Sequence, residues 1–231
     1  MTRIVIVNAD DFGQTPGINR GIVEAHERGL VTSTSMLVNH PAAEEAAAYA
    51  RRRPDLAVGL HADFGEWGHV DGEWYAIYEM PADDPESVRS EVRRKLETFR
   101  RLIDADPTHL DSHQHAHFDE PVRSAMIELA EELRVPLRAV SDDIGYRGDF
   151  FGQDDVRPFP EGITREALIE LLLGLPDGIT EVGCHPGYAE GLDSGYRTER
   201  EAEIGVLCDA VVRETIAAAG IELRSFRTAF S

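Results

Sequence analysis

An imperfect (β/α) barrel of seven strands, in one domain over residues 1–231, is the fold class this sequence predicts. Three observations carry that reading. Short β-branched runs alternate with longer amphipathic ones, a pattern that specifies parallel strands joined by crossover helices. About seven strands can be counted, one short of an ideal eightfold barrel. No Ser- or Pro-rich linker and no internal repeat divides the 231 residues, and 42% hydrophobic content supports one large core.

The elements follow in order. Residues 4–8 are a strand of β-branched side chains. A helix over 16–29 opens with Pro16 in its first turn and closes at Gly29. Residues 32–38 read as a strand, 41–53 as an Ala-rich helix and 56–61 as a third strand. Residues 62–83 mix Gly, Trp, Tyr and Asp without a clean period and read as a long loop. A strongly charged amphipathic helix covers 85–104; 109–112 is strand-like, 120–133 helical and 137–140 a short strand. Residues 141–163 are irregular and rich in Asp, Gly, Phe and Tyr. A helix over 164–173, a strand over 179–184, a long helix over 197–219 and a last strand over 222–226 complete the series.

The formal charge of −20 comes with no basic run longer than Arg51-Arg52-Arg53. Such a chain repels nucleic acid and anionic membranes, and a neutral or cationic small substrate fits it better. Much of the acid excess equally reads as a solvated surface. Cys184 and Cys208 are the two cysteines, which excludes a disulfide framework and a cysteine zinc motif. The opening residues are followed too quickly by acids for a signal peptide, and no apolar stretch approaches a membrane span. The expected location is the cytoplasm.

Between His109 and His117 lie four of the nine histidines, and His109, Asp111, His113, His115 and His117 all occupy odd positions. On an extended strand these would share one face. That concentration asks for a divalent metal, an acid/base pair, or both. Other polar groups fall where strands end: Asn8, Asp10 and Asp11; Asn39 and His40; His61; His185. In parallel α/β folds functional groups gather at such ends. Of the adjacent Asp10 and Asp11, one can bind a metal while its neighbour serves as base, and two His plus one carboxylate leave positions open for water and substrate. Alone, the Asp pair would read as a turn or helix cap.

The strings Asn8-Ala9-Asp10-Asp11-Phe12-Gly13, Val31 to Asn39, Gly59-Leu60-His61, Thr108 to His117 and Cys184-His185-Pro186-Gly187 together resemble the YdjC family of carbohydrate deacetylases, which includes the chitooligosaccharide deacetylases. The resemblance spans nearly the whole chain. It implies a distorted barrel related to polysaccharide deacetylases and removal of an N-acetyl group from an acetylated mono- or oligosaccharide with one divalent metal ion, Mg2+ or Zn2+. It also implies that Asp11, His61 and His113 match the metal ligands, Asp10 the general base and His185 the acid for the leaving amine.

His115 and His117 are candidates for sugar contact or for orienting ligands. Trp67, with Trp74 and Tyr75, could stack on sugar rings or anchor its own loop, and Tyr188 could line the pocket or fill it. Asp111 could hold a ligand histidine through its second ring nitrogen, while His109 sits low in the barrel as a structural residue. Two stretches that shape the pocket depart from the family pattern: that between His61 and the 85–104 helix is short for the family and acidic (Asp63, Glu66, Asp71, Glu73), and 141–161 carries Asp142, Asp143, Arg147, Asp149, Asp154, Asp155 and Arg157. Two other readings compete. A phosphoesterase of histidinol-phosphatase type would need more ligands, cations for phosphate and an opening His-x-His; a non-catalytic sugar-binding relative would not need both Asp10 and Asp11. Self-association is common in such families, but no surface stripe identifies an interface.

Overall fold

The computed structural model describes residues 2–70, 73–80, 82–154, 157–192 and 194–230. Asp71 and Asp155 of the unusual loops lie outside them. In chain order come β1 (Arg3–Phe12), α1 (Pro16–Glu27), β2 (Ser33–Met36), α2 (Ala43–Ala50), β3 (Ala57–Ala62), β4 (Gly65–Val70) and β5 (Glu73–Glu79). Next are α3 (Pro85–Ile103), β6 (Leu110–Ser112), α4 (Val122–Leu133), β7 (Ile144–Arg147), and the two-residue strands β8 (Gln153–Asp154) and β9 (Arg157–Pro158). The chain continues with α5 (Arg165–Leu173), β10 (Gly178–Cys184), α6 (Thr198–Leu207), α7 (Ala210–Ala218) and β11 (Ile221–Leu223).

Seven strands form one parallel sheet, curled into a partial barrel, in the order β6-β3-β2-β1-β10-β7. β11 pairs with the first residues of β1, on the edge whose later residues take β2. Six of the seven expected strands are present. The one expected over 137–140 shrinks to a single bridge between Leu110 and Leu137, because Ala139 turns left-handed (φ 55) just after Arg138. The seventh strand is β7, inside the stretch read as irregular. Its Ile-Gly-Tyr-Arg sequence carries too little apolar signal to be recognised.

Strand alternation sets the layers. Val5, Val7 and Ala9 of β1 join the main core beneath the helices. Ile6 belongs to a separate cluster with Ala57, Ile144, Phe226 and Ala229. Asn8 and Asp10 follow Ile6 at i+2 and i+4, so one face runs from an apolar base to a polar top. Capping fixes where the helices begin: Thr15, Asp84, Thr164 and Asp209 each accept from a first-turn amide. The cap at Asp209 is why the single helix expected over 197–219 is two helices, with Asp209 extended between them (φ −71, ψ 124).

The long loop expected over 62–83 is instead the antiparallel hairpin β4–β5, with Trp67 facing Ala76 and His69 facing Trp74 across the pair. Its sequence signal was the Asp71-Gly72 dipeptide between two aromatic runs, a common hairpin turn; both residues lie outside the described ones. Among the described residues, no helix is long and apolar enough to cross a membrane.

Candidate active site

Register between β1 and β2 shifts where the site begins. Ala9 pairs with Thr34 and Phe12 with Met36, so Asp10 and Asp11 together oppose Ser35. This is a β-bulge, a device that bends a strand and re-aims its side chains. Asp11 takes the left-handed conformation (φ 72) that the bulge requires. Adjacent strand residues would diverge; here both carboxylates line one cavity of about 350 Å³. Gly13 completes the turn at φ +98, where a Cβ would stand 2.7 Å from the Leu37 carbonyl oxygen. Glycine alone fits there.

The histidine run behaves differently from a strand. β6 ends at Ser112, and a 3-10 turn over His113–Phe118 contains two left-handed residues, Gln114 (φ 46) and His115 (φ 55). The five odd positions therefore do not form one row. His113 turns to Asp11, its Nδ1 lying 3.0 Å from Oδ1. His61, from the end of β3, points Nε2 at the same oxygen from 3.4 Å. Ligands of one ion at about 2.0–2.1 Å sit roughly 3 Å apart, so Asp11, His61 and His113 have the spacing and donor types of a metal set. His61 Nδ1 donates to Asp111 Oδ1 at 2.8 Å, which leaves the Nε2 lone pair free for an ion. A second grouping of Asp10, His61 and Asp111 is equally compact. There Arg138 already bonds both carboxylates, so a further cation would meet a guanidinium.

Charge supports the first set. Asp10, Asp11, Asp63, Glu66, Asp111, Glu181 and Glu203 are all buried around the site, against Arg138 and Arg200. Burial disfavours a charged imidazole at His113, but Asp11 outweighs it and lifts the group to about 9. His61 is likewise raised against burial, chiefly by Asp111. The surplus of buried carboxylates is what attracts positive charge to this place.

A family model described as YdjC-like protein matches residues 4–218. This chain belongs to the YdjC family. Among its relatives, a protein of Geobacillus stearothermophilus named carbohydrate deacetylase is 34% identical, over 98% of each chain. A chitooligosaccharide deacetylase of Klebsiella pneumoniae is 32% identical over 98% of this chain and 99% of its own. Among solved structures, a protein from Enterococcus faecalis V583 whose proposed role is cellobiose-phosphate cleavage has a TM-score of 0.78 at 26% identity, covering 99% of both chains. A family 4 acetyl xylan esterase from Clostridium thermocellum shares the fold at TM-score 0.56 and 12% identity, over 99% of this chain and 90% of that one. The distorted barrel related to carbohydrate esterases and deacetylases is thus the fold of this YdjC-family chain.

Other expected residues divide. His185 lines the cavity with Nε2 3.8 Å from Asp10 Oδ2, and burial holds it down to about 4, so it is neutral at pH 7. His115 also lines it, stacked on Phe118 with ring centroids 4.9 Å apart. His117 does not reach the cavity: fully buried, its Nε2 donates to the Arg138 carbonyl at 3.1 Å and Nδ1 accepts from Ser112 Oγ at 2.6 Å. Tyr188 lies outside as well; its hydroxyl donates to Glu24 on α1 at 2.7 Å. Trp67 walls a neighbouring depression rather than this cavity. His109 sits low, stacked on Phe226 at 3.8 Å.

Arg138 went unrecognised in the sequence of this family member, although an Arg inside an apolar stretch is a signal that it is paired. It grips Asp10 with two nitrogens at 2.6 and 2.7 Å, and also bonds Asp111 at 2.8 Å and Glu181 at 2.6 Å. Burial pushes the Asp10 carboxyl up, yet Arg138 outweighs it and holds the group below its usual range. Arg200, on α6, bonds Asp11 Oδ2 at 2.7 Å. Its neighbours Glu199 and Glu201 gave it the look of a solvated helix residue.

Glu203, one turn further along α6, accepts from the His185 amide and the Tyr196 hydroxyl at 2.5 Å each. Burial lifts its carboxyl to about 7. From pH 4.5 to about 7 the folded state therefore holds a proton that the unfolded chain has released, so stability falls as pH rises through that window. Glu181, raised to about 7 by burial, adds to the same slope. In urea unfolding at a series of pH values, Glu203→Gln should flatten part of this decline; an unaltered slope would remove Glu203 as its source.

Proposed function

We propose that this protein is a cytoplasmic, metal-dependent carbohydrate deacetylase that hydrolyses the N-acetyl group of an acetylated mono- or oligosaccharide. The observation that carries the reading is the convergence of Asp11, His61 and His113 beside Asp10 and His185 in one cavity. The names of the relatives in Geobacillus and Klebsiella point to the same substrate class. Asp11, His61 and His113 would hold one divalent ion, Mg2+ or Zn2+. When bound, that ion would supply Lewis-acid chemistry, raising the acidity of water and polarising the amide carbonyl.

The chain's own residues supply the proton handling. Arg138 keeps Asp10 ionised and fixes the direction of its carboxylate. Ionised Asp10 accepts a proton as water adds to the amide carbon. His185, neutral at rest with Nε2 3.8 Å from Asp10 Oδ2, takes that proton on from Asp10 and, as the imidazolium, delivers it to the leaving nitrogen as the C–N bond breaks. Acetate and a free amino sugar result. The proton gained in the first half is the proton spent in the second, so a neutral resting His185 is compatible with its role as acid.

The phosphoesterase alternative has less support. Among the described residues lining the cavity, Arg200 is the one arginine, and Asp11 already engages it. The acid excess would repel a phosphate. A test of the ligand set is metal content. His61→Ala and His113→Ala proteins should purify with at least about tenfold lower occupancy by elemental analysis, the order that loss of one coordinating side chain implies. Full occupancy in either variant would remove that residue from the set. Acetate release from a panel of acetylated sugars tests the activity itself.

A further inference from the structure

One nitrogen of His113 is left without a partner. Nδ1 faces Asp11 Oδ1 at 3.0 Å, toward the proposed ion, while Nε2 is buried and makes no hydrogen bond. Glu66 Oε2 stands 3.8 Å from that nitrogen. Glu66 belongs to β4, lines the catalytic cavity and is 2% exposed. Among the described residues, His113 is its one ion-pair partner. A buried carboxylate and a buried ring nitrogen thus face each other beyond bonding distance. Leaving both unmade is costly, so the pair marks a bond formed in another state of the site.

That state is the loaded metal site. With the Nδ1 lone pair given to a cation, the ring carries its proton on Nε2 and needs an acceptor there. His61 has the same arrangement with the nitrogens exchanged: Nδ1 donates to Asp111 at 2.8 Å and Nε2 faces Asp11. Asp111 sits on the barrel strand β6, whereas Glu66 comes from the β4–β5 hairpin, outside that sheet. The hairpin is anchored on both sides of Glu66. Pairing shifts between Glu66–Tyr78 and Trp67–Ala76, so Ile77 is an extra residue on β5, a bulge beside Glu66. Asp63 accepts from the Gly65 amide and from the Tyr78 hydroxyl, each at 2.9 Å, and His40 holds the second of its oxygens. Gln114, next to His113, clamps the Trp67 backbone: Oε1 accepts from its amide at 2.9 Å and Nε2 donates to its carbonyl at 3.0 Å.

We propose that Glu66 is a positioning residue for His113, accepting from Nε2 when Nδ1 serves the ion, and that it couples metal loading to the order of the β4–β5 hairpin. Coupling of this kind is reciprocal: whatever Glu66 adds to metal affinity, the metal adds to the hairpin. The inference rests on Asp11, His61 and His113 being the ligand set, but not on the sugar that is deacetylated.

Zinc is the probe, with affinity measured on the full chain by competition with a chromogenic chelator. Glu66→Ala should weaken zinc binding by about tenfold, the order for loss of a carboxylate that orients a ligand histidine. Glu66→Gln should recover most of it, because its amide oxygen still accepts from Nε2 although its charge is gone. In 1H–15N spectra of the zinc-loaded wild type, the His113 Nε2 proton should lie downfield and exchange slowly, and Glu66→Ala should abolish that signal. Amide exchange in β4 and β5 should slow on zinc loading in the wild type and not in Glu66→Ala. Zinc affinity of Glu66→Ala within twofold of the wild type, or equal losses in Glu66→Ala and Glu66→Gln, would overturn the role of Glu66 and leave the ligand set standing. A wild type that holds neither zinc nor magnesium would overturn the ligand set, and this inference with it.

Discussion

The Asp10→Asn protein should retain its metal ion and lose turnover by about 10²–10⁴-fold, the range attributable to a positioned general base. Asn is nearly isosteric with Asp but cannot take up a proton. It also presents a donor to the Arg138 guanidinium, which bonds both Asp10 oxygens at 2.6 and 2.7 Å. Metal retention follows because the proposed ligands are Asp11, His61 and His113, each oriented by partners other than Asp10: Arg200 for Asp11, Asp111 for His61 and Asp11 for His113. Elemental analysis beside an acetate assay checks both halves. A near-normal rate would remove Asp10 as base; loss of metal would mean that Asp10 takes part in holding it.

Arg138→Met is expected to have the largest effect on stability. It would strip the one guanidinium from between Asp10, Asp111 and Glu181, all buried. Removing one partner of a buried ionic cluster costs about 3–5 kcal/mol, because the remaining charges stay desolvated and unpaired. For a chain of this size that lowers the midpoint of thermal unfolding by roughly 6–20 °C. Arg138→Lys should recover part of the stability and little of the activity, since an ammonium cannot hold both Asp10 oxygens in a fork. A midpoint for Arg138→Met within two degrees of the wild type would show that the cluster tolerates its own repulsion.

What could be read from the sequence followed from local signals. β1, β3 and β10 announce themselves by β-branched and aliphatic runs, and the polar groups at their ends mark the mouth of the barrel. The family strings drew attention to Asp10, Asp11, His61 and His113, which the fold brings together. Tertiary demands overrode local pattern elsewhere. The strand expected over 137–140 gives way because Arg138 is called inward to three carboxylates. The row of odd-numbered histidines breaks because Gln114 and His115 turn left-handed. Arg200 comes from a helix far along the chain, and nothing near it in sequence hints that Asp11 is its partner. Tyr188 follows a site residue, yet its hydroxyl goes to Glu24 on α1. Proximity in sequence does not decide which way a side chain points.

The position of β1 has a further consequence for how the chain comes to be folded. Of the strands in this sheet it is made first, and it lies at the sheet's centre, with β10 along one edge and β11 beside β2 on the other. Its longest partner is separated from it by most of the chain. A ribosome therefore releases β1 long before β10 exists, and an apolar edge waits through the making of most of the helices. Such non-local pairing slows folding and prolongs exposure to other chains. A message truncated between the end of α4 and β10 should yield protein that chaperones hold or that aggregates, even though it would already contain Asp10, Asp11, His61 and His113.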